Sequence, residues 1–306
     1  MAEIVRLTCD DERVRSIITE LQAWPGDEIK SHKSVDHPLH KLSFLAELGF
    51  TSAEPGIANI LEKIMSNQSE EGPFQILINI PKHFGGTGLP IKTWVLCDTP
   101  LVAYAAIKLN SGELNPAMKK AVDYLASRVS ENGWHCLASA ELGKFRGPGR
   151  KDDPCPYATL LMLHLLSLTH GDDYRQEKQI GIQTLLNLWD RRQVIKPYLF
   201  GMGSDFKKLK LPFVWYDILH VVEILSRYPE AVSDSRFHDM FQAVISKRTV
   251  GGYVPESVYL KSSQWDFGQK KKPSDFLNAV IERIEARIHS SATMPTAAQP
   301  FKNCPD

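Results

Sequence analysis

The sequence predicts an all-α protein built from helix pairs, and three observations carry that prediction. Apolar residues recur three and four apart in nine stretches of the chain. Strand-like alternation is scarce: "FQILINI" (Phe74–Ile80) is the one good candidate, and a short extended stretch within a loop explains it equally well. An acid also recurs near the start of the more apolar helices, at Asp98, Asp153, Asp217 and Asp275, with a period of roughly 60 residues, which is the mark of a helix-pair array.

In chain order the periodic stretches are Pro38–Phe50, Pro55–Gln68, Pro100–Asn110, Pro116–Ser130, Tyr157–His170, Glu177–Arg192, Trp215–Tyr228, Arg236–Arg248 and Ser274–Ile288. Proline stands at or near many of the starts, where its missing N–H costs nothing. Amphipathic helices end in loops that combine glycine with an aromatic or a second glycine: "SEEGPFQ", "SENGWHC" and "KRTVGGYVPES". A polar linker follows, then a helix that is apolar nearly all round, opening in "CDTPLVAY", "DDPCPYATL", "FVWYDILHV" or "PSDFLNAV". The all-apolar helix of each pair is expected to be buried and its half-polar neighbour to face water. Such alternation either stacks into an open solenoid or closes into a ring. One domain is expected over 1–288, with repeats at roughly 39–110, 111–170, 171–228 and 229–288, the third interrupted by the long loop 187–212. The tail His289–Asp306 is small, polar and proline-bearing, and is expected to be flexible.

Lys plus Arg and Asp plus Glu both number 36, so the net charge is zero and a general nucleic-acid binder is not expected. Hydrophobic residues make up 43% and charged residues 24%, an ordinary balance for a folded protein. No apolar run approaches the length of about 18 residues needed to span a membrane. The start, "MAEIVRLTCDDERVRS", lacks a signal-peptide core. Five widely spaced cysteines without a CxxC pair read as reduced thiols, so a cytoplasmic protein is expected.

The stretch "GKFRGPGRKDDPCPYATLLMLHLL" (Gly143–Leu166) concentrates the chemistry. Lys144, Arg146, Arg150 and Lys151 form a glycine-rich cationic loop whose donors can converge on a phosphate at a helix amino end. Asp152 and Asp153 follow, then Cys155. Each recurring acid can simply cap its helix. If the buried helices are parallel, however, the acids ring one mouth, where burial or a like-charged neighbour turns one of them into a proton donor. Trp94, Trp134, Tyr157, Trp215 and Tyr216, with Phe213 and Phe267, cluster at the loops and helix starts; their faces can line a core or stabilise a cation. Lys207, Lys208 and Lys210 make a second basic run. "HFGGTG" (His83–Gly88) reads as a turn, since no GK[ST] follows it.

"YLASRVSENGWHC", the weaker "VGGYVPES" and the alternation of buried and exposed helices resemble the repeats of squalene–hopene cyclases and of protein prenyltransferase β subunits. The resemblance runs over roughly 39–288. It implies an α/α toroid, an inner ring of parallel helices inside an outer ring, whose central funnel binds an apolar, isoprenoid ligand with reactive groups at the inner amino ends. The Asp-x-Asp-Asp motif of protonating cyclases and the full glutamine–tryptophan repeat are absent. Two chemistries follow from the resemblance: terpenoid cyclase-like protonation by Asp98, Asp153, Asp152 or Asp217, or prenyltransferase-like transfer with the cationic loop on a diphosphate. "DPC" resembles the Asp-x-Cys zinc pair of the prenyltransferases, which implies a zinc ion on Asp153 and Cys155, with His220, or His164 behind it, as third ligand. A helical scaffold that binds a partner protein, and a toroid hydrolase or lyase using Asp152 and Asp153 on a polar substrate, remain the alternatives.

Overall fold

The computed structural model describes residues 7–29, 32–145, 150 and 152–293. Its helices are α1 (Glu12–Leu21), α2 (Pro38–Glu47), α3 (Ile57–Ser66), α4 (Thr99–Leu109), α5 (Pro116–Ala126), α6 (Pro156–Leu166), α7 (Arg175–Asp190), α8 (Ile218–Leu225), α9 (Pro229–Val232), α10 (Ser235–Ile245) and α11 (Asp275–Thr293). Two small antiparallel pairs join them: β1 (Ile76–Ile78) with β2 (Ile91–Thr93), and β3 (Val129–Ser130) with β4 (Gly133–Trp134). The chain is therefore mostly helical. Among the described residues no helix is long and apolar enough to cross a membrane.

Every residue of α6 and α8 is buried, as is all of α4 except Lys108. These helices carry almost no polar face, so burial on all sides is the arrangement their sequences demand. Contacts run from α2 to α4, from α4 to α6, from α6 to α8 and from α8 to α11. α11 meets α2 again through the Phe276 and Phe44 rings, 6.4 Å apart, and through Arg283 and Glu47 at 3.8 Å. The amphipathic helices cover this set: α1 lies on α2, α3 on α4, α5 on α4 and α6, α7 on α6, and α10 on α7 and α8.

The Gly-Trp loop has a steric reason. Gly133 adopts φ +112°, and a Cβ there would come within 2.9 Å of Thr184 Oγ1 and 3.0 Å of Thr159 Oγ1. Its absence lets the β3–β4 turn press onto α6 and α7, so that Trp134 is fully buried and donates Nε1–H to the Leu125 carbonyl at 3.1 Å.

Three features differ from expectation. α1 precedes the first expected helix; its apolar Val14, Ile17, Ile18 and Leu21 are buried, and Asp11 caps it by accepting from Arg13 N–H at 2.9 Å. The extended stretch around Phe74 finds a strand partner in Ile91–Thr93. α11 runs past Ile288 to Thr293, and the rest of the expected tail lies outside the described residues.

Candidate functional site

Two polar constellations lie among the buried helices. The first is a charged knot in the carboxyl-terminal halves of α2, α6 and α8. Glu47 of α2 accepts from His164 Nε2 of α6 at 2.9 Å and pairs with Arg227 at 3.3 Å. Glu223 of α8 pairs with Arg227 at 3.0 Å, and with Arg283 and Arg287 of α11 at 3.3 and 2.9 Å. Arg227 also donates to Tyr104 of α4 at 3.2 Å and to Ser167 at 3.1 Å. Burial alone would push both glutamates up, but Arg227 and its neighbours hold each well below the usual carboxylate range. Beside the knot a cavity of about 50 Å³ is lined by Ser43, Glu47, His164, His220, Arg283 and aromatic rings.

The second constellation stands at the amino ends of α4 and α6. A cavity of about 390 Å³ has mostly apolar walls, with Ile29, Ile78, Ile80, Val95, Phe84 and Phe145 on its sides. Tyr157, Phe200 and Trp215 supply an aromatic wall: the Trp215 ring lies 4.6 Å from Tyr157 and stacks on Phe200 at 5.2 Å. Tyr157 O–H donates to the Val214 carbonyl at 3.0 Å, which ties α6 to the segment leading into α8. His32, Cys97, Cys136 and Cys155 complete the lining.

Asp98 stands at the N-cap position of α4 yet makes no cap bond. Its side chain is fully buried, and Oδ1 accepts from His32 Nδ1 at 2.8 Å. Asp98 Oδ2 is buried and has no hydrogen-bond partner among the described residues. Burial disfavours charge on His32, but the facing Asp98 carboxylate outweighs it, so the imidazole titrates above its ordinary value. The loop that carries His32 is fastened to α2, because His40 Nε2 donates to the His32 carbonyl at 2.8 Å. Cys155 is the N-cap of α6, its Sγ accepting from Ala158 N–H at 3.5 Å.

Of the residues singled out in the sequence, Tyr157, Trp215 and Cys155 line this cavity, and Asp98 acts on it through His32. The "CDTP", "DDPC" and "WYD" segments thus meet. Asp275 of "PSD" is exposed and is not part of the lining. Asp217 caps α8, accepting from His220 N–H at 3.0 Å; burial pushes its carboxyl up to about 7. It lines neither cavity. Asp152 is exposed, and Asp153 accepts from Arg150 N–H at 3.3 Å; both line an open polar groove of about 850 Å³ with Arg150, Arg191 and Lys196. Lys144 is exposed, while Arg146 and Lys151 lie outside the described residues. Trp94 donates Nε1–H to Glu71 at 2.7 Å, and with Trp134 and Tyr216 it is packed into the core. Of the second basic run, Lys208 and Lys210 pair with Asp205 at 3.1 and 3.7 Å, and Lys207 lies over the Trp189 ring.

The zinc set does not assemble from these side chains. Cys155 lines the larger cavity and His220 the smaller one, with His220 Nδ1 donating to the Trp215 carbonyl at 2.9 Å. Among the described residues no three histidine, cysteine, aspartate or glutamate side chains gather so as to hold a metal ion.

His32 and Cys136 are functional candidates that the sequence reading passed over. His32 has a faint signal, as one of three histidines within "SHKSVDHPLH". Cys136 has none beyond its place just after the Gly-Trp turn. No protein-family model matches the chain, and no curated protein matches it either.

Proposed function

We propose that the chain is an α/α toroid that holds an apolar, isoprenoid-type ligand in the cavity at the amino ends of α4 and α6 and performs chemistry on it there. The order of helix contacts, with α11 meeting α2 again, supports the toroid. The cavity itself carries the ligand reading. Its volume falls within the roughly 300–1,000 Å³ of small-molecule sites, its walls are mostly apolar, and a few polar groups converge on it.

Of the two chemistries, cyclase-like proton transfer has the better support. A proton on Asp98 Oδ2 would sit on a carboxyl group whose other oxygen already faces the His32 imidazole. The His32 imidazole is the hydrogen-bond partner of the carboxylate left behind when that proton is given up. Tyr157, Phe200 and Trp215 offer ring faces to a developing cation, at about 0.5–2 kcal/mol each. The prenyltransferase-like reading rests on the exposed cations Lys144 and Arg150 and takes no support from a metal set. A polar-substrate hydrolase or lyase would instead use Asp152 and Asp153 in the open groove.

Native mass spectrometry of the purified protein, with organic extraction of whatever leaves with it, tests the proposal. The expected result is an apolar small molecule retained by the wild type and lost from Trp215→Ala. A protein that retains nothing, and takes up no short prenyl alcohol when offered one, overturns it.

A further inference from the structure

Three cysteines far apart in sequence meet on one wall of the cavity. Val95 bridges antiparallel to Ala138, and Leu96 N–H donates to the Leu137 carbonyl at 2.9 Å. Cys155 N–H donates to the Trp134 carbonyl at 2.7 Å. The segment 134–138 is therefore fastened on one side to the start of α4 and on the other to the start of α6, with Cys136 at its middle. Cys97, Cys136 and Cys155 all line the cavity. None of the three is in a disulfide. Cys97 and Cys155 are buried, whereas Cys136 keeps partial access.

Two neighbouring thiols on one cavity are a two-electron reductant, and the cavity selects what they can reduce. A charged oxidant gains nothing from walls of Ile78, Ile80, Phe145 and Phe200. A flat, electron-poor, apolar ring can stack on Trp215 and Tyr157. Quinones have that shape and accept two electrons with two protons.

Resting on the reading of this cavity as an isoprenoid-type ligand site, we propose that Cys136 and Cys155 are a redox-active dithiol that reduces a quinone-class ligand held against Trp215. Cys97 and burial raise the Cys136 thiol, so it gives its proton to neutral His32, across the cavity both line, only as its sulfur adds to the ring. The Cys155 sulfur then attacks the Cys136 sulfur; an S–S bond forms, the sulfur–ring bond breaks and its electron pair stays on the ring. The two protons, one carried by His32 and one from Cys155, complete the hydroquinone. Two thiols and one quinone thus become one disulfide and one hydroquinone. An external thiol resets the pair by exchange.

The test uses the full chain, reduced and kept free of oxygen, mixed with a ring-substituted quinone bearing a short alkyl tail. The expected result is one hydroquinone per protein, loss of two free thiols and a Cys136–Cys155 cross-link in the peptide map. Cys136→Ser and Cys155→Ser should each slow hydroquinone formation at least about tenfold, and Cys9→Ser should not. Circular dichroism checks that the variants fold; for one that does not, protection of the wild-type pair from alkylation by bound quinone takes its place. Unchanged rates in both serine variants, a cross-link to Cys97 instead, a stable quinone adduct, or a metal ion that masks the thiols each overturn the proposal. Quinone retained without any cross-link overturns the redox step and leaves the ligand reading standing. A cross-link formed with a water-soluble disulfide, by a protein that neither binds nor reduces the quinone, overturns both.

Discussion

The charged knot and the amino-end cavity are made of similar materials and differ in how completely those materials are used. At the knot Glu47 and Glu223 face Arg227, Arg283 and Arg287, and the space beside them is about 50 Å³. At the cavity one buried carboxylate has a single histidine, one of its oxygens has no partner among the described residues, and about 390 Å³ lies alongside. Buried charge that is fully paired fixes helices in register, and removing one partner is costly. Buried polarity left half-used beside a cavity contributes little to the fold and is free for a ligand. The contrast teaches where to look for chemistry among helices that share one core.

Four substitutions follow in falling order of effect, and three of them test that contrast. Glu223→Ala leaves three guanidinium groups without their shared carboxylate, and should cost about 5 kcal/mol, the upper end for breaking a buried pair. Urea unfolding should show the loss, while ligand affinity per folded molecule stays unchanged. Asp217 belongs to neither region. Its folded value of about 7 lies above the ordinary 3.8, so the folded state holds a proton that the unfolded chain releases. Stability from this group is therefore greatest below about pH 4 and falls as pH rises toward 7, by on the order of 4 kcal/mol. Asp217→Asn keeps a capping oxygen and should flatten that part of the melting-temperature profile.

Trp215→Ala should reverse the pattern of the knot variant. Ligand affinity drops about tenfold or more through the lost aromatic face, and stability changes less, since the residue is only partly buried. Asp98→Asn should cost about 1 kcal/mol of stability, the smallest effect on the fold. It removes the charge that raises His32, so an NMR titration should find the imidazole shifted down. Equal loss of stability and of ligand binding in Glu223→Ala, Trp215→Ala and Asp98→Asn would erase the distinction between the two regions.

The helices were legible because burial imposes its period on the sequence: α4, α6 and α8 are apolar all round, and α5 and α10 on one side. α1 is equally legible from Asp11 and the spacing of Val14, Ile17, Ile18 and Leu21, but it lies outside the repeat. The site was half legible. Cys155, Tyr157 and Trp215 stand at helix starts, where local patterning points. The His32–Asp98 pair spans 66 positions, and Cys136 is brought beside Cys155 by the bond from Cys155 N–H to the Trp134 carbonyl. Neither relation leaves a periodic trace. Asp98 reads as a helix cap in the sequence, because nothing local reveals that a histidine from an earlier loop has claimed its carboxylate.

The meeting of α2 and α11 forms a clasp. Arg283 and Arg287 are about a quarter exposed, at 26% and 28%, so dissolved ions reach this junction more easily than the fully buried α6. Rising salt should therefore loosen the clasp first. Amide hydrogen exchange would show α11 opening ahead of the rest, so the α2–α11 contact is also where the interior breathes.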